Sequence, residues 1–194
     1  MKLRIFITSP LEDRYVEHIR SVAPDQTQVI YEPDLLPPIR YIADHKGVDG
    51  FKRSETQEQQ WQHYLARANI LWDFPPDIVG RADGLASAPN VRWVQTTSSG
   101  VGQLVKGLGL QGSDILVTTA RGVHAGPLAE FVFMALLTYF RNFDDLQIAK
   151  KNRTWKRYCG DGLEGKTLAV IGAGQVGRCV IRMGRAFNMH TIFL

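Results

Sequence analysis

The sequence predicts an α/β protein built on open parallel sheets, and three observations predict it. Short apolar, β-branched runs alternate with segments of helical periodicity from Leu3 onward. Strand and helix signals alternate at the spacing of crossover units rather than hairpins. Near the end, the apolar run Thr167–Ile171 leads directly into glycines at 172, 174 and 177 and then into a helical pattern.

The first strand is Leu3 to Ile7, broken by Thr8-Ser9-Pro10, with a helix over Leu11–Val22. Val29–Tyr31 is a second, short strand. Pro33, Pro37, Pro38, Gly47 and Gly50 make residues 33–53 a surface loop. Ser54 caps the next helix, which runs to about Arg67, and Gln57 completes a capping box. Trp61, Tyr64, Leu65 and Ala68 recur at helical spacing and form its core face. Ile70–Trp72, Val91–Thr96 and Ile115–Thr118 are the third to fifth strands. Gly126-Pro127 opens a helix over Leu128–Phe140. That helix is apolar nearly all round, so it is expected between layers or at a subunit contact. A more polar helix, Asp144–Asn152, is followed by a linker at Asp161-Gly162. Thr167–Ile171 is continuously apolar, as a strand buried on both faces should be. The helix behind the glycines presents Val176, Val180, Met183 and Phe187 on one face, and His190–Leu194 begins another strand.

Composition excludes several classes. The chain has 194 residues, 44% hydrophobic and 22% charged, which fits folded globular structure and not a disordered chain. The net charge of +4 is modest. Its one basic cluster, Lys150, Lys151, Arg153, Lys156 and Arg157, reads as a solvated helix end, so no nucleic-acid partner is expected. Cys159 and Cys179 are too far apart for C-x-x-C, no His/Cys spacing suits zinc, and no metal site is expected. Both cysteines are expected as reduced thiols, and the protein is expected to be cytoplasmic. No export signal is visible. The longest apolar run, Phe131–Leu137, is well short of the roughly 20 residues needed to span a bilayer. His18, His45, His63 and His190 read as solvated or loop residues and His124 as structural.

Two motifs carry chemistry. In the G-x-G-x-x-G run, Gly172 permits a tight turn, Gly174 lets a diphosphate approach the backbone, and Gly177 lets the helix pack closely on the strand. Phosphates would meet the free N–H groups near Gln175 and Val176 at the positive helix end. The acidic residue that binds the ribose is expected about 20 positions past the glycines, at or just after Leu194. NAD and NADP are therefore not distinguished. The second motif is Val91–Gly102, a strand ending in Thr97-Ser98-Ser99-Gly100-Val101-Gly102. Backbone N–H groups at such a strand end suit a carboxylate or phosphate. An ordinary loop reads equally well from these residues alone.

The order of the motifs resembles the D-isomer-specific 2-hydroxyacid dehydrogenases, of the glyoxylate/hydroxypyruvate reductase kind. The likeness runs through the W-V-Q-T-T-S-S-G-V-G loop, Thr118–Val123, the helix carrying Ala129-Glu130, Trp155, and the L-x-G-K-T-L and G-x-G-x-x-G segments. It implies a flavodoxin-like substrate domain over residues 1–122. Crossover helices and the N-terminal part of a Rossmann NAD(P)-binding domain would follow over 123–194. It implies hydride transfer between NAD(P)H and a small 2-oxo or 2-hydroxy acid. Backbone groups at Ser99, Gly100 and Val101 would hold the substrate carboxylate, with Ser99 also beside the nicotinamide. Gly172, Gly174, Gln175, Val176 and Gly177 would form the pyrophosphate site. Gly102 departs from the acidic or amide residue common at its position, which bears on loop shape and substrate preference. The family's catalytic Arg, Glu and His are expected beyond Leu194. No catalytic residue is therefore assigned within residues 1–194, and this chain alone is expected to be inactive. A homodimer about Leu128–Phe140 is implied. Two other readings stay open: a catalytically silent nucleotide-sensing or partner-binding module of the same family, and another NAD enzyme such as a formate dehydrogenase.

Overall fold

A computed structural model describes residues 2–78 and 84–194. The chain divides into two compact units, Met1–Ala120 and Arg121–Leu194. In the first, β1 (Leu3–Ile7), β2 (Thr27–Ile30), β3 (Ile70–Trp72), β4 (Trp93–Gln95) and β5 (Leu116–Thr118) form one sheet. Its order is β2-β1-β3-β4-β5 and every pairing is parallel. The helices between strands are α1 (Asp13–Val22), α2 (Glu55–Arg67) and α3 (Gly102–Gly107). This order is the flavodoxin-like one, and the direction of winding reverses between β1 and β3.

The α2 helix starts where the sequence says it should. The Ser54 side chain accepts from the Gln57 N–H at 3.3 Å, and Gln57 Oε1 accepts from the Ser54 N–H at 2.9 Å. Such a cap contributes about 1 kcal/mol. Trp61, Leu65 and Ala68 are fully buried as expected, and Tyr64 packs at the margin of the same core. Phe6 of β1 meets Trp61 edge-on at 4.8 Å, with Leu71 and Val94 completing the layer beneath α2. Each such side chain stabilises the fold by roughly 1.5–3 kcal/mol through burial. The short α3, with Gly at its first and last positions, lacks the apolar periodicity that would have announced it.

The 33–53 segment is more ordered than a surface loop. Its start is a 3-10 turn, Pro33–Leu35, and Leu35 and Leu36 enter the core. The Asp44 side chain is 1% exposed and accepts from Arg40 N, Nε and Nη2 and from the N–H groups of Lys46 and Gly47, at 2.7–3.2 Å. Gly47, at φ +69°, presses against Pro37, where a Cβ would meet the Pro37 carbonyl oxygen.

The second unit holds α4 (Ala125–Phe140), α5 (Phe143–Lys151), β6 (Thr167–Val170), α6 (Gln175–Ala186) and β7 (His190–Phe193). The strands β6 and β7 pair in parallel, joined through α6. α4 packs along α6, where Phe133 stacks on Phe187 at 5.1 Å over a core of Ala129, Leu163, Val180 and Met189. One expectation needs correcting. β6 is not buried on both faces: Leu168 and Val170 face this core, while Ala169 is exposed and Ile171 is 91% exposed. Among the described residues, the helices of this unit cover only one side of its sheet. On α6, Val180 and Met183 enter this core as expected and Phe187 meets Phe133, while Gly177, Cys179, Ile181 and Gly184 are buried beside them and Val176 stays partly exposed. α4 likewise buries one side only, leaving Leu128, Phe131, Met134 and Tyr139 exposed.

Among the described residues no helix is long and apolar enough to cross a membrane, and no cluster of three or more His, Cys, Asp or Glu is placed to hold a metal ion.

Candidate functional site

In the second unit the three glycines behave differently from one another. Gly172 takes φ +93°, a left-handed conformation that a side chain would strain, and its N–H donates to the Leu194 carbonyl at 3.0 Å. Gly177 is buried, and a Cβ there would collide with the Gly172 carbonyl oxygen and crowd Val170 Cγ1 at 3.3 Å. Gly174 is the N-cap of α6, and a Cβ there would meet nothing within 4 Å. Two glycines thus shape the turn and seat the helix, and the middle one keeps the approach open. The first helical bond on this turn runs from the Arg178 N–H to the Gly174 carbonyl at 2.9 Å. The N–H groups of Gln175, Val176 and Gly177 lie ahead of it at the positive helix end, where an α-helix supplies no internal acceptor. The Arg178 Nε donates to the Ala173 carbonyl at 3.0 Å, tying the loop to the helix. This bond was not foreseen from sequence.

In the first unit, Ser99, Gly100 and Val101 lie between β4 and α3, at the C-terminal edge of the sheet. Ser99 and Gly100 are exposed and Val101 is nearly buried. Among the described residues, their N–H groups have no hydrogen-bond partner. The Thr97 N–H is not part of this row: it donates to Asp73 Oδ1 at 2.6 Å. Asp73, just past β3, is the residue the sequence reading missed. It is nearly buried and takes φ +66°. Its carboxylate also accepts from Ser9 Oγ at 2.7 Å and from Thr97 Oγ1 at 2.8 Å. Thr8 Oγ1 donates to the Trp72 and Asp73 carbonyls, both at 2.9 Å. Asp73 therefore fastens together the ends of β1, β3 and β4. Its place one residue beyond a strand, at the edge where such sheets bind ligands, was the signal available.

These strand ends surround a cavity of about 440 Å³ lined by Thr8, Ser9, Asp73, Thr96, Ser98 and Val101 among others. It lies between β1 and β3, the point of winding reversal, where open α/β sheets take their ligands. Lys46 and His45 reach the same cavity from the loop that Asp44 organises. The Arg40 guanidinium, hydrogen-bonded to Asp44, holds that carboxyl well below the usual carboxylate range, and the backbone donors add to this.

Residues 133–194 match the family model described as the NAD binding domain of D-isomer specific 2-hydroxyacid dehydrogenases. That match spans about a third of the chain, which is in this part similar to that dehydrogenase family. The chain is 31% identical over 121 residues to a D-3-phosphoglycerate dehydrogenase of Mycobacterium leprae, a match covering 57% of the chain and 21% of that protein. It is 28% identical over 88 residues to a glyoxylate reductase of Thermococcus litoralis, covering 41% of the chain and 27% of that protein. Among solved structures it resembles a D-isomer specific 2-hydroxyacid dehydrogenase family protein from Aeromonas salmonicida. There the TM-score is 0.68 at 22% identity, over 100% of this chain and 53% of that one. The likeness to that structure is one of fold. The chain spans about half the length of that dehydrogenase and a smaller share of the curated relatives it matches.

Proposed function

We propose that this chain carries the substrate-holding part and the opening nucleotide-binding unit of an NAD(P)-dependent oxidoreductase acting on a small 2-oxo or 2-hydroxy acid. The observation that carries this reading is the division of labour among Gly172, Gly174 and Gly177. A left-handed turn and a helix pressed onto it leave an open approach to unpaired N–H groups. The described residues fit a dinucleotide on that ground. A nicotinamide nucleotide, when bound, supplies or accepts the hydride. The N–H groups of Gln175 and Val176 would donate to its diphosphate, and Gly174 would leave room for the phosphates to reach them. In the other unit, the N–H groups of Ser99, Gly100 and Val101 would hold the substrate carboxylate. Residues 1–122 would form the substrate domain and 123–194 the crossover helices with the nucleotide unit.

The test uses Gly174→Val. Because a Cβ at this position meets only open space, the variant should fold with a stability change of about 1 kcal/mol or less. In the unaltered chain, NADH or NADPH should shift the amide resonances of Gln175 and Val176. The variant should weaken that binding at least tenfold. Absence of any such shift with both nucleotides would refute the reading.

We further propose that the exposed face of α4 joins two copies of the chain, since Leu128, Phe131 and Met134 present a row of apolar side chains at helical spacing. Phe131→Glu should convert a dimer to a monomer in sedimentation velocity. A unaltered chain that sediments as a monomer at high micromolar concentration would rule the contact out.

A further inference from the structure

The cavity at the ends of β1, β3 and β4 has three hydroxyls in its wall, those of Thr8, Ser9 and Thr96, and all three are already engaged as donors. Ser9 Oγ donates to Asp73, Thr8 Oγ1 to two carbonyls, and Thr96 Oγ1 to the Ser98 carbonyl at 2.7 Å. The acid in the wall, Asp73, faces any entering anion with a carboxylate. The rest of the interior is Pro10, Pro37, Phe74, Pro76, Val101 and Leu104. The groups still able to donate are the exposed side chains of His45, Lys46 and Ser98 and the Val101 N–H of the carboxylate loop.

We infer that this cavity takes the apolar substituent of a 2-oxo acid, its single carboxylate held at the open side, and that Asp73 acts there as a specificity residue against substrates bearing a second acidic group. The inference rests on the carboxylate-holding role proposed above for Ser99–Val101. An apolar group entering the cavity loses water and meets carbon, which is favourable. A phosphate or second carboxylate placed against the inner wall would lose its hydration, find the hydroxyls of Thr8, Ser9 and Thr96 already engaged and sit beside the Asp73 carboxylate, which is costly.

The experiment titrates the isotope-labelled chain with pyruvate, 4-methyl-2-oxopentanoate and 3-phosphoglycerate, reading the resonances of Ser98–Val101 and Leu104. The branched acid should bind at least tenfold more tightly than the phosphorylated one and should alone shift the Leu104 methyls. Asp73→Asn keeps the shape and tolerates the positive φ. It should narrow the ratio between the two acids at least threefold. Equal or tighter binding of 3-phosphoglycerate, lost on Lys46→Met, would overturn the inference while leaving the carboxylate loop standing. If none of the three acids, pyruvate included, moved the Ser99–Val101 amides, the carboxylate-holding role itself would fall, and this inference with it.

Discussion

Gly177→Ala is expected to unfold the second unit or come close to it. A methyl group at this position has nowhere to go: the nearest atom is the backbone carbonyl oxygen of Gly172, and behind it lies Val170 of β6. Neither can yield as the end of a flexible side chain could. The helix must then lift from the strand, which also opens the close contact at Gly184, where a Cβ would come within 2.7 Å of Leu168 Cδ2. Overpacking of a tight interior costs about 3 kcal/mol or somewhat more. For a unit this small that amounts to a fall in melting midpoint on the order of 10 °C. The contrast with Gly174→Val is the informative part. One variant should lose stability and nucleotide binding together, the other binding alone. Calorimetry of both variants decides it, and an unchanged midpoint for Gly177→Ala would show that the helix is not seated as described.

The second large effect is expected at Asp44. Arg40 and two further backbone N–H groups converge on its buried carboxylate. Asp44→Ala would strand those donors and release the loop that brings His45 and Lys46 to the cavity. The melting midpoint of the first unit should drop by several degrees at pH 7. The pH dependence has a definite sign. The carboxyl is held below its ordinary value of 3.8 in the folded state, chiefly by the Arg40 hydrogen bond. The stabilisation is therefore fully present above that value and is lost as the pH falls below it towards the folded-state value. The unaltered chain and Asp44→Asn should differ most near neutrality and converge as the pH is lowered through 3 towards 2. A gap that stayed constant down to pH 2 would remove Asp44 from this role.

Much of the architecture was legible before any coordinates, because the signals were local. The capping box at Ser54 and Gln57 involves neighbours in sequence, so its hydrogen bonds follow from residue identity. The glycine spacing at 172, 174 and 177 is legible for the same reason: one turn of backbone has few ways to accommodate it. The limits of β3, and of α2 at its C-terminal end, matched their apolar patterns. α3 did not show itself, being six residues long with glycine at both ends. The burial of β6 was misread because a continuous apolar run reports what a strand could bury, not what covers it. The apolar face of α6 was legible in Val180, Met183 and Phe187, but the close approach of helix to strand at Gly184 was not, because a glycine adds nothing to an apolar pattern.

By itself the sequence determined the alternating α/β plan, the nucleotide-type turn and the loop of small residues at 97–102. Each of these rests on interactions within a few residues along the chain. Only the tertiary structure decided that Asp73 gathers Ser9 and Thr97 from 64 and 24 positions away, and that the Thr8, Ser9 and Thr96 hydroxyls in the cavity wall are already engaged. It also decided that Asp44 turns a Pro- and Gly-rich stretch into a fixed wall. A hydrogen bond between distant residues leaves no periodicity and no spacing to read, since its partners are set by how strands are ordered across the sheet rather than by their separation along the chain.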